Sequence, residues 1–190
     1  MAEAIGLHVV YYDVVNKLPH GNAKQIKNLD ELLEQSDIVT LHVPSDKSTL
    51  NMMDEAKFAT MKKGSIFINY ARGEVVDLES LKKYIDNGTI TGAAIDVFPV
   101  EPEKNGDKFE TILQNLPNVI LTPHIGGSTE EAQANIGLDV STKLLNYIEL
   151  GSSDGCLTVP AVSLSLQDKT HRILHIHKNI AGVLGEINSK

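Results

Sequence analysis

Four side chains that could carry out acid–base or anion-binding chemistry lie at or just beyond short apolar runs of the sequence. A guanidinium can hold a carboxylate through two parallel hydrogen bonds and polarise an adjacent carbonyl. A carboxylate bonded to an imidazole fixes the ring's tautomer and stabilises its protonated form, which suits proton transfer. The four residues are Arg72 after SIFIN, Asp96 in TGAAIDV, Glu101 between prolines, and His124 at the end of NVILTPH.

The surroundings of His124 are unusual for a core histidine. Pro123 restricts the chain before it, and Gly126 and Gly127 follow in LTPHIGGST. Glycines allow backbone or a ligand to approach closely. The stretch therefore predicts a functional imidazole, with Gly126 and Gly127 allowing backbone or a ligand to approach it closely.

Each candidate also has an ordinary explanation. Arg72 could pair with Glu74 or Asp77 at the surface, and Glu101 could be a solvated loop acid. Asp13, after HVVYY, could be a turn residue, or it could accept hydrogen bonds from an adenosine ribose and disfavour a 2′-phosphate. Position favours the site, because ligands of open α/β sheets bind beyond the carboxyl ends of the strands.

Five short apolar runs predict the strands that would position these residues. The runs are continuous rather than alternating, as in parallel strands that are buried on both faces. Helical segments with capping and stop signals separate them, and a strand–helix alternation predicts a doubly wound α/β fold. The predicted strands are 7–13, 37–43, 65–69, 91–97 and 118–124, and the predicted helices begin near Asn28, Asp54 and Asp77.

A long amphipathic helix is predicted after the fifth strand. Ser128 and Glu131 have capping-box spacing, and apolar residues recur every fourth position until Gly151. Turn-forming residues then predict a linker over 151–169, and 170–190 begins a new strand and helix. We therefore expect a partial nucleotide-binding domain over 1–150, the linker, and the start of a second domain.

Composition narrows the possible partners and compartments. The net charge of −8 and pI of about 5.3 argue against binding to nucleic acid or to an anionic membrane. Cys156 is the single cysteine, which excludes an internal disulfide and fits a reducing compartment. With no membrane-length apolar run and no signal-peptide pattern at the start, we expect a cytoplasmic protein.

His175 and His177 share one strand face, but one strand supplies too few ligands for zinc, so no metal is predicted.

Three long motifs resemble the NAD-dependent D-isomer-specific 2-hydroxyacid dehydrogenases. They are DIVTLHVPSDKSTLNMMDEAKFATMKKGSIFINYARGEVVDLESL, GAAIDVFPVEPE and NVILTPHIGGSTEEAQ, within roughly residues 5 to 150. NKLPHGNAKQ, HIGGSTEEAQANIGLDV and RILHIHKNIAGVL are most similar to members with a C-terminal regulatory ACT domain. The resemblance implies a Rossmann-like sheet, NAD as cofactor, and a homo-oligomeric parent protein with a small-molecule substrate.

The resemblance also implies roles for individual residues. Arg72 would bind the substrate carboxylate and carbonyl, while Glu101 and His124 would form the acid–base pair. The reaction would transfer a hydride from C2 of 3-phosphoglycerate to NAD, for serine synthesis. The implied cofactor-binding residues are Asp13, His42, Val43, Pro44, Ala71, Asp96, Gly126 and Gly127, and the implied serine-effector residues are His177 and Asn179, where NIAG replaces the usual NRPG.

Family members carry a substrate domain, a first strand and a glycine-rich turn ahead of the position of Met1. We therefore expect a fragment whose sheet lacks its central strand, so that strands 7–13 and 37–43 are separated from the other three, and we expect no activity from this chain alone. The ACT-like part is expected to be truncated. Two alternatives remain: a non-catalytic module that senses a dinucleotide or binds a protein, and a dehydrogenase for another 2-hydroxy acid.

Overall fold

The structure is a computed structural model, and it describes residues 1–102, 104, 106–165, 169–171 and 173–189. The chain divides into two compact units, Met1–His124 and Ile125–Lys190. The domain limits predicted at 150 and 169 stay predictions.

The first unit contains two parallel sheets. The larger one has four strands in the order β3–β4–β5–β6, which are Ile38–Leu41, Ser65–Asn69, Ile90–Ile95 and Val119–Leu121. The smaller one pairs β1, Val10–Tyr11, with β2, Lys24–Gln25. All pairings are parallel, as expected for an α/β sheet built from strand–helix–strand units. The Rossmann-like α/β fold predicted from the sequence is confirmed.

The predicted grouping of the strands is wrong at one point. Strand 37–43 was expected to be separated from strand 65–69, but β3 pairs with β4 from Ile38↔Ile66 to Leu41↔Asn69. The short crossover through one helix places these consecutive strands side by side, as most such connections do. β1 instead pairs with β2, a strand of only two polar residues that hydrophobic patterning could not detect.

Three capped helices each precede a strand of the larger sheet, namely β3, β4 and β5. They are α1, Leu29–Gln35, α2, Glu55–Thr60, and α3, Leu78–Asp86. At each start a side-chain oxygen accepts a hydrogen bond from a backbone N–H of the first turn, which satisfies a donor that the helix leaves unpaired. The capping residues are Asn28, Asp54 and Asp77, and 3₁₀ turns lie at Glu3–Ile5 and Gly73–Val75.

The core of the first unit lies between these helices and one face of the larger sheet. Phe67 of β4 is fully buried, and its ring lies 5.2 Å from that of Phe58 in α2, edge to face. Side chains alternate across a strand, so the neighbours of Phe67 point to the other face. Ile38, Ile66 and Ile120 are exposed there, at 43%, 39% and 63%.

The second unit contains two helices. α4, Glu130–Leu150, is capped by Thr129, whose hydroxyl accepts a hydrogen bond from the Ala132 N–H, so the predicted cap at Ser128 is displaced by one residue. α4 ends at Gly151, which has a φ of +61°. α5 is Val183–Asn188. No helix in the described part of the chain is long and apolar enough to cross a membrane.

The strand predicted near RILHIH does not form. Residues 173–180 have no regular secondary structure, and Arg172 lies outside the described residues. A strand needs a neighbour to pair its backbone groups. Among the described residues of the second unit there is no other strand that could supply one.

Candidate active site

The carboxyl ends of β4, β5 and β6 form one edge of the larger sheet, because the three strands are parallel neighbours. Arg72 follows the end of β4 by three residues, Asp96 follows β5 directly, and His124 follows β6 by three residues. Glu101 lies on the loop that leaves Asp96. The fold therefore brings the four candidates from separate parts of the sequence to one edge.

Glu101 and His124 form a hydrogen-bonded pair. The Nδ1 atom of His124 lies 2.8 Å from Oε2 and 3.0 Å from Oε1 of Glu101. Because an ionised carboxylate only accepts hydrogen bonds, Nδ1 carries the proton and Nε2 of the neutral ring is left as the acceptor. The Phe98 N–H also donates to Oε1 of Glu101, at 2.9 Å. The carboxylate is thus anchored to its own loop, and the imidazole, 39% exposed, remains accessible.

Asp96 holds the backbone of His124 rather than its ring. Its Oδ1 accepts hydrogen bonds from the His124 N–H at 3.0 Å and from the Thr122 hydroxyl at 2.5 Å. His124 has a φ of +50°, in the left-handed region that residues other than glycine enter rarely. These bonds stabilise that conformation. The predicted contact of Asp96 with a cofactor stays a prediction.

The loop that carries Arg72 is held by a residue that sequence analysis missed. Asn69 is fully buried, accepts a hydrogen bond from the Ala71 N–H at 3.1 Å, and donates to the Arg72 carbonyl at 2.9 Å. The Arg72 guanidinium donates from Nη1 to the Ala71 carbonyl at 2.7 Å. Its other N–H groups have no partner among the described residues. A polar residue inside the apolar run SIFIN was the available signal for Asn69.

Gly73, also missed, allows the loops of Arg72 and Glu101 to meet. A Cβ atom at this position would lie 2.0 Å from the Phe98 carbonyl carbon and 2.4 Å from the Pro99 nitrogen. No side chain fits such a gap. The glycine that follows Arg72 in ARGE is therefore required by the approach of two backbones, not by its own φ.

The residues predicted to line the cofactor cleft follow the end of β3. The ring of His42 is exposed and lies 3.2 Å from the Thr40 hydroxyl, measured from Nε2. Val43 is half-buried against the core, and the Pro44 carbonyl accepts a hydrogen bond from the Thr49 hydroxyl at 2.7 Å. They lie at the same sheet edge as Arg72, because β3 is parallel to β4.

The loop after Pro44 carries a carboxylate with a perturbed pKa. The side chain and the backbone N–H of Ser48 both donate hydrogen bonds to Asp46, at 2.6 Å and 2.7 Å. These bonds favour the ionised form and lower the pKa of the Asp46 carboxyl. They also hold the loop at the end of β3 in a closed turn.

Asp13 lies two residues beyond β1 and is half-buried. Its Oδ1 accepts a hydrogen bond from the Val15 N–H at 2.8 Å. In the described part of the chain, Asp13 makes no hydrogen bond to Arg72, Glu101 or His124. The structure therefore does not join Asp13 directly to the cluster, and its proposed contact with ribose stays a prediction.

The remaining predicted residues belong to the second unit. The Gly127 carbonyl accepts a hydrogen bond from Gln133, and an added Cβ at Gly126 or Gly127 would have open space within that unit. His177 and Asn179 are exposed, and Nδ1 of His177 lies 2.9 Å from the Lys178 carbonyl. No group of three or more potential metal ligands occurs in the described residues.

Comparison with known families decides the assignment of the first unit. Residues 1–126 match the model of the D-isomer specific 2-hydroxyacid dehydrogenase, NAD binding domain. The chain belongs to this family. Because the matched domain is an NAD binding domain, the cofactor is NAD.

Individual relatives agree with this assignment. The chain is 50% identical over 188 residues to D-3-phosphoglycerate dehydrogenase of Haemophilus influenzae and 48% identical over 189 residues to that of Dictyostelium discoideum. It covers 46% of each relative, so it spans less than half of their length, while 99% and 100% of the chain are covered. A solved D-isomer specific 2-hydroxyacid dehydrogenase from Lactobacillus delbrueckii, in its NAD-complexed form, matches at 34% identity and a TM-score of 0.67, covering 77% of the chain and 47% of that structure.

Proposed function

We propose that this domain supplies the substrate-binding arginine and the acid–base pair of a D-3-phosphoglycerate dehydrogenase. The reaction oxidises C2 of 3-phosphoglycerate to the carbonyl of 3-phosphohydroxypyruvate, an early step toward serine. The observation that carries the proposal is the Glu101–His124 pair, held at the same sheet edge as Arg72. The names of the relatives at 48–50% identity support this substrate.

Asp13 after β1 and the residues at the edge of the larger sheet fit the ribose and nicotinamide parts of NAD by their chemistry. The half-buried carboxylate of Asp13 is an acceptor suited to ribose hydroxyls, and Asp96 and the backbone around Ala71 suit the carboxamide. His42, Val43 and Pro44 would line the cleft. The cofactor, when bound, accepts the hydride and its two electrons from C2.

The tautomer of His124 determines which ring nitrogen accepts the substrate proton. Nε2 accepts the hydroxyl proton of C2 as the hydride leaves, so that the C–O bond becomes a carbonyl. Glu101 accepts the Nδ1–H throughout and stabilises the imidazolium that forms. Arg72 holds the substrate carboxylate through its unpaired N–H groups, which places C2 beside His124. In the reverse direction the imidazolium returns the proton.

The test replaces the corresponding segment of the Haemophilus influenzae enzyme with residues 1–190 and measures NADH formation from 3-phosphoglycerate. We expect the hybrid to be active and the His124→Ala change to lower kcat by about 10²- to 10⁴-fold, the usual size of general acid–base catalysis. His8→Ala is the matched control, since His8 precedes the amino end of β1. A hybrid in which His124→Ala turns over normally would contradict the assignment.

We also infer that the 190 residues alone do not turn over. They contain no G-x-G sequence, which the phosphate-binding turn of a dinucleotide site requires. Addition of 3-phosphoglycerate and NAD to the isolated chain is therefore expected to produce no NADH. NAD-dependent turnover by this chain would refute the inference.

A regulatory role is proposed for the last residues of the chain. His177 and Asn179 would bind serine in an ACT-like domain of a homo-oligomeric parent protein. Their polar side chains, exposed in the second unit, are chemically suited to an amino acid. The proposal is tested by serine inhibition of the hybrid, compared with a His177→Ala, Asn179→Ala double variant.

A further inference from the structure

Asn69 uses both ends of its side-chain amide on the loop that carries Arg72. It is the last residue of β4 and is fully buried. Oδ1 accepts from the Ala71 N–H at 3.1 Å, and Nδ2 donates to the Arg72 carbonyl at 2.9 Å. The amide thus bridges the Ala71 N–H and the Arg72 carbonyl, the stretch of backbone that carries the Arg72 side chain.

The backbone of Asn69 is connected to the other side of the cluster. Its carbonyl accepts a hydrogen bond from the Asp96 N–H at 3.1 Å. The Asp96 carboxylate in turn accepts from the His124 N–H at 3.0 Å. A single buried residue is therefore bonded to the loop of the arginine and, through Asp96, to the backbone of the histidine.

We propose that Asn69 is a positioning residue that directs Arg72 toward the substrate carboxylate. The inference rests on the proposed function of Arg72. The short planar amide of asparagine provides one acceptor and one donor. An ionised aspartate lacks the donor, and serine is too short to bridge both sites. The Arg72 backbone must have a fixed conformation, because two parallel hydrogen bonds from a guanidinium to a carboxylate depend on the orientation of the side chain.

To test this, oxamate, a carboxylate with an adjacent carbonyl, is added stepwise to the isotope-labelled 190-residue chain, and NMR spectra are recorded at each step. The Nε–Hε resonance of Arg72 reports binding. Asn69→Asp keeps the shape but replaces the donor with a negative charge, and Asn69→Ser is an uncharged second variant that separates the loss of the donor from the effect of the charge. Asn118→Asp is the matched control, because its amide donates to the Thr91 carbonyl at 3.1 Å beside the amino end of β6, at the opposite edge of the sheet.

We expect oxamate to shift the Arg72 resonance of the unmodified chain. Its Kd should rise about tenfold in Asn69→Asp and Asn69→Ser, the change expected when a misdirected guanidinium loses one of its hydrogen bonds to the oxamate carboxylate. Asn118→Asp should bind as the unmodified chain does. A folded Asn69 variant that binds oxamate with unchanged Kd overturns the positioning role alone. An unmodified chain whose Arg72 does not respond to oxamate overturns the proposed function of Arg72, and the positioning role with it.

Discussion

The backbone of His124 adopts a left-handed conformation that glycine enters readily but residues with a side chain rarely do. Its φ of +50° is maintained by the bond from its N–H to Asp96, which also binds the Thr122 hydroxyl. Left-handed residues persist where surrounding contacts over-determine them, and they cluster at active sites. The imidazole ring is held by its hydrogen bonds to Glu101. Separate residues therefore hold the backbone and the ring of the same histidine.

At the same scale, Gly73 is predicted to tolerate no side chain. Gly73→Ala would put a Cβ within 2.0 Å of Phe98 backbone, so the two loops must separate. We expect the free energy of unfolding to fall by about 2 to 3 kcal/mol, as for other overpacked sites. Urea denaturation of the 190-residue chain provides the measurement.

The control for this change is Gly92→Ala. Its added Cβ would lie 3.6 Å from the Asn118 carbonyl oxygen, an ordinary contact. Equal losses in the free energy of unfolding for the two variants would show that the close approach at Gly73 does not cause the destabilisation.

At the scale of elements, the four-stranded sheet is packed unequally on its two faces. α1, α2 and α3 cover one face with residues such as Leu33, Phe58 and Leu81, all fully buried. The opposite face exposes isoleucines of β3, β4 and β6. Parallel sheets ordinarily have both faces covered. The stability of this unit therefore comes mainly from one side of each strand.

Two neighbouring residues of β4 test this asymmetry. Phe67→Ala removes a fully buried ring and should lower the free energy of unfolding by about 3 to 5 kcal/mol. Ile66→Ala, on the exposed face, should cost only about 1 kcal/mol because less apolar area is lost from burial. Chemical denaturation of both variants gives the comparison, and a loss at Ile66 as large as at Phe67 would contradict one-sided packing.

At the scale of the whole molecule, the buried apolar core belongs to the first unit. In the described part of the chain, every buried hydrophobic residue lies between Leu33 and Leu113, and the Glu101–His124 pair is also within Met1–His124. The described residues of α4 and α5 include none that is buried. Among the described residues, the first unit thus contains both the buried apolar core and the Glu101–His124 pair.

Residues 1–124 are therefore expected to unfold cooperatively as a separate protein. Their free energy of unfolding should equal that of the full chain within about 0.5 kcal/mol, the usual range for changes away from buried contacts. Circular dichroism during urea denaturation tests this. A non-cooperative transition in the shorter protein would instead assign a stabilising role to residues 125–190.

Much of the fold was predictable because its signals are local. Continuous apolar runs located the strands of the larger sheet, and Asn28, Asp54 and Asp77 marked helix starts through the spacing of cap and first turn. β2 escaped detection because its two residues, Lys24 and Gln25, are polar. Strand neighbours were misassigned because pairing depends on contacts far apart in sequence.

Residue type and position in the sequence were enough to predict Arg72, Asp96, Glu101 and His124 as candidate site residues beyond strand ends. The tertiary structure alone decided what holds them. That Asn69 bridges the Arg72 loop, that Asp96 binds the His124 backbone, and that Gly73 meets Phe98 all depend on distances between segments that are remote in sequence or on the path of the loops. The contacts of Asp96 with His124 and of Gly73 with Phe98 leave no periodic pattern, because they form only when parallel strands bring their ends to one edge.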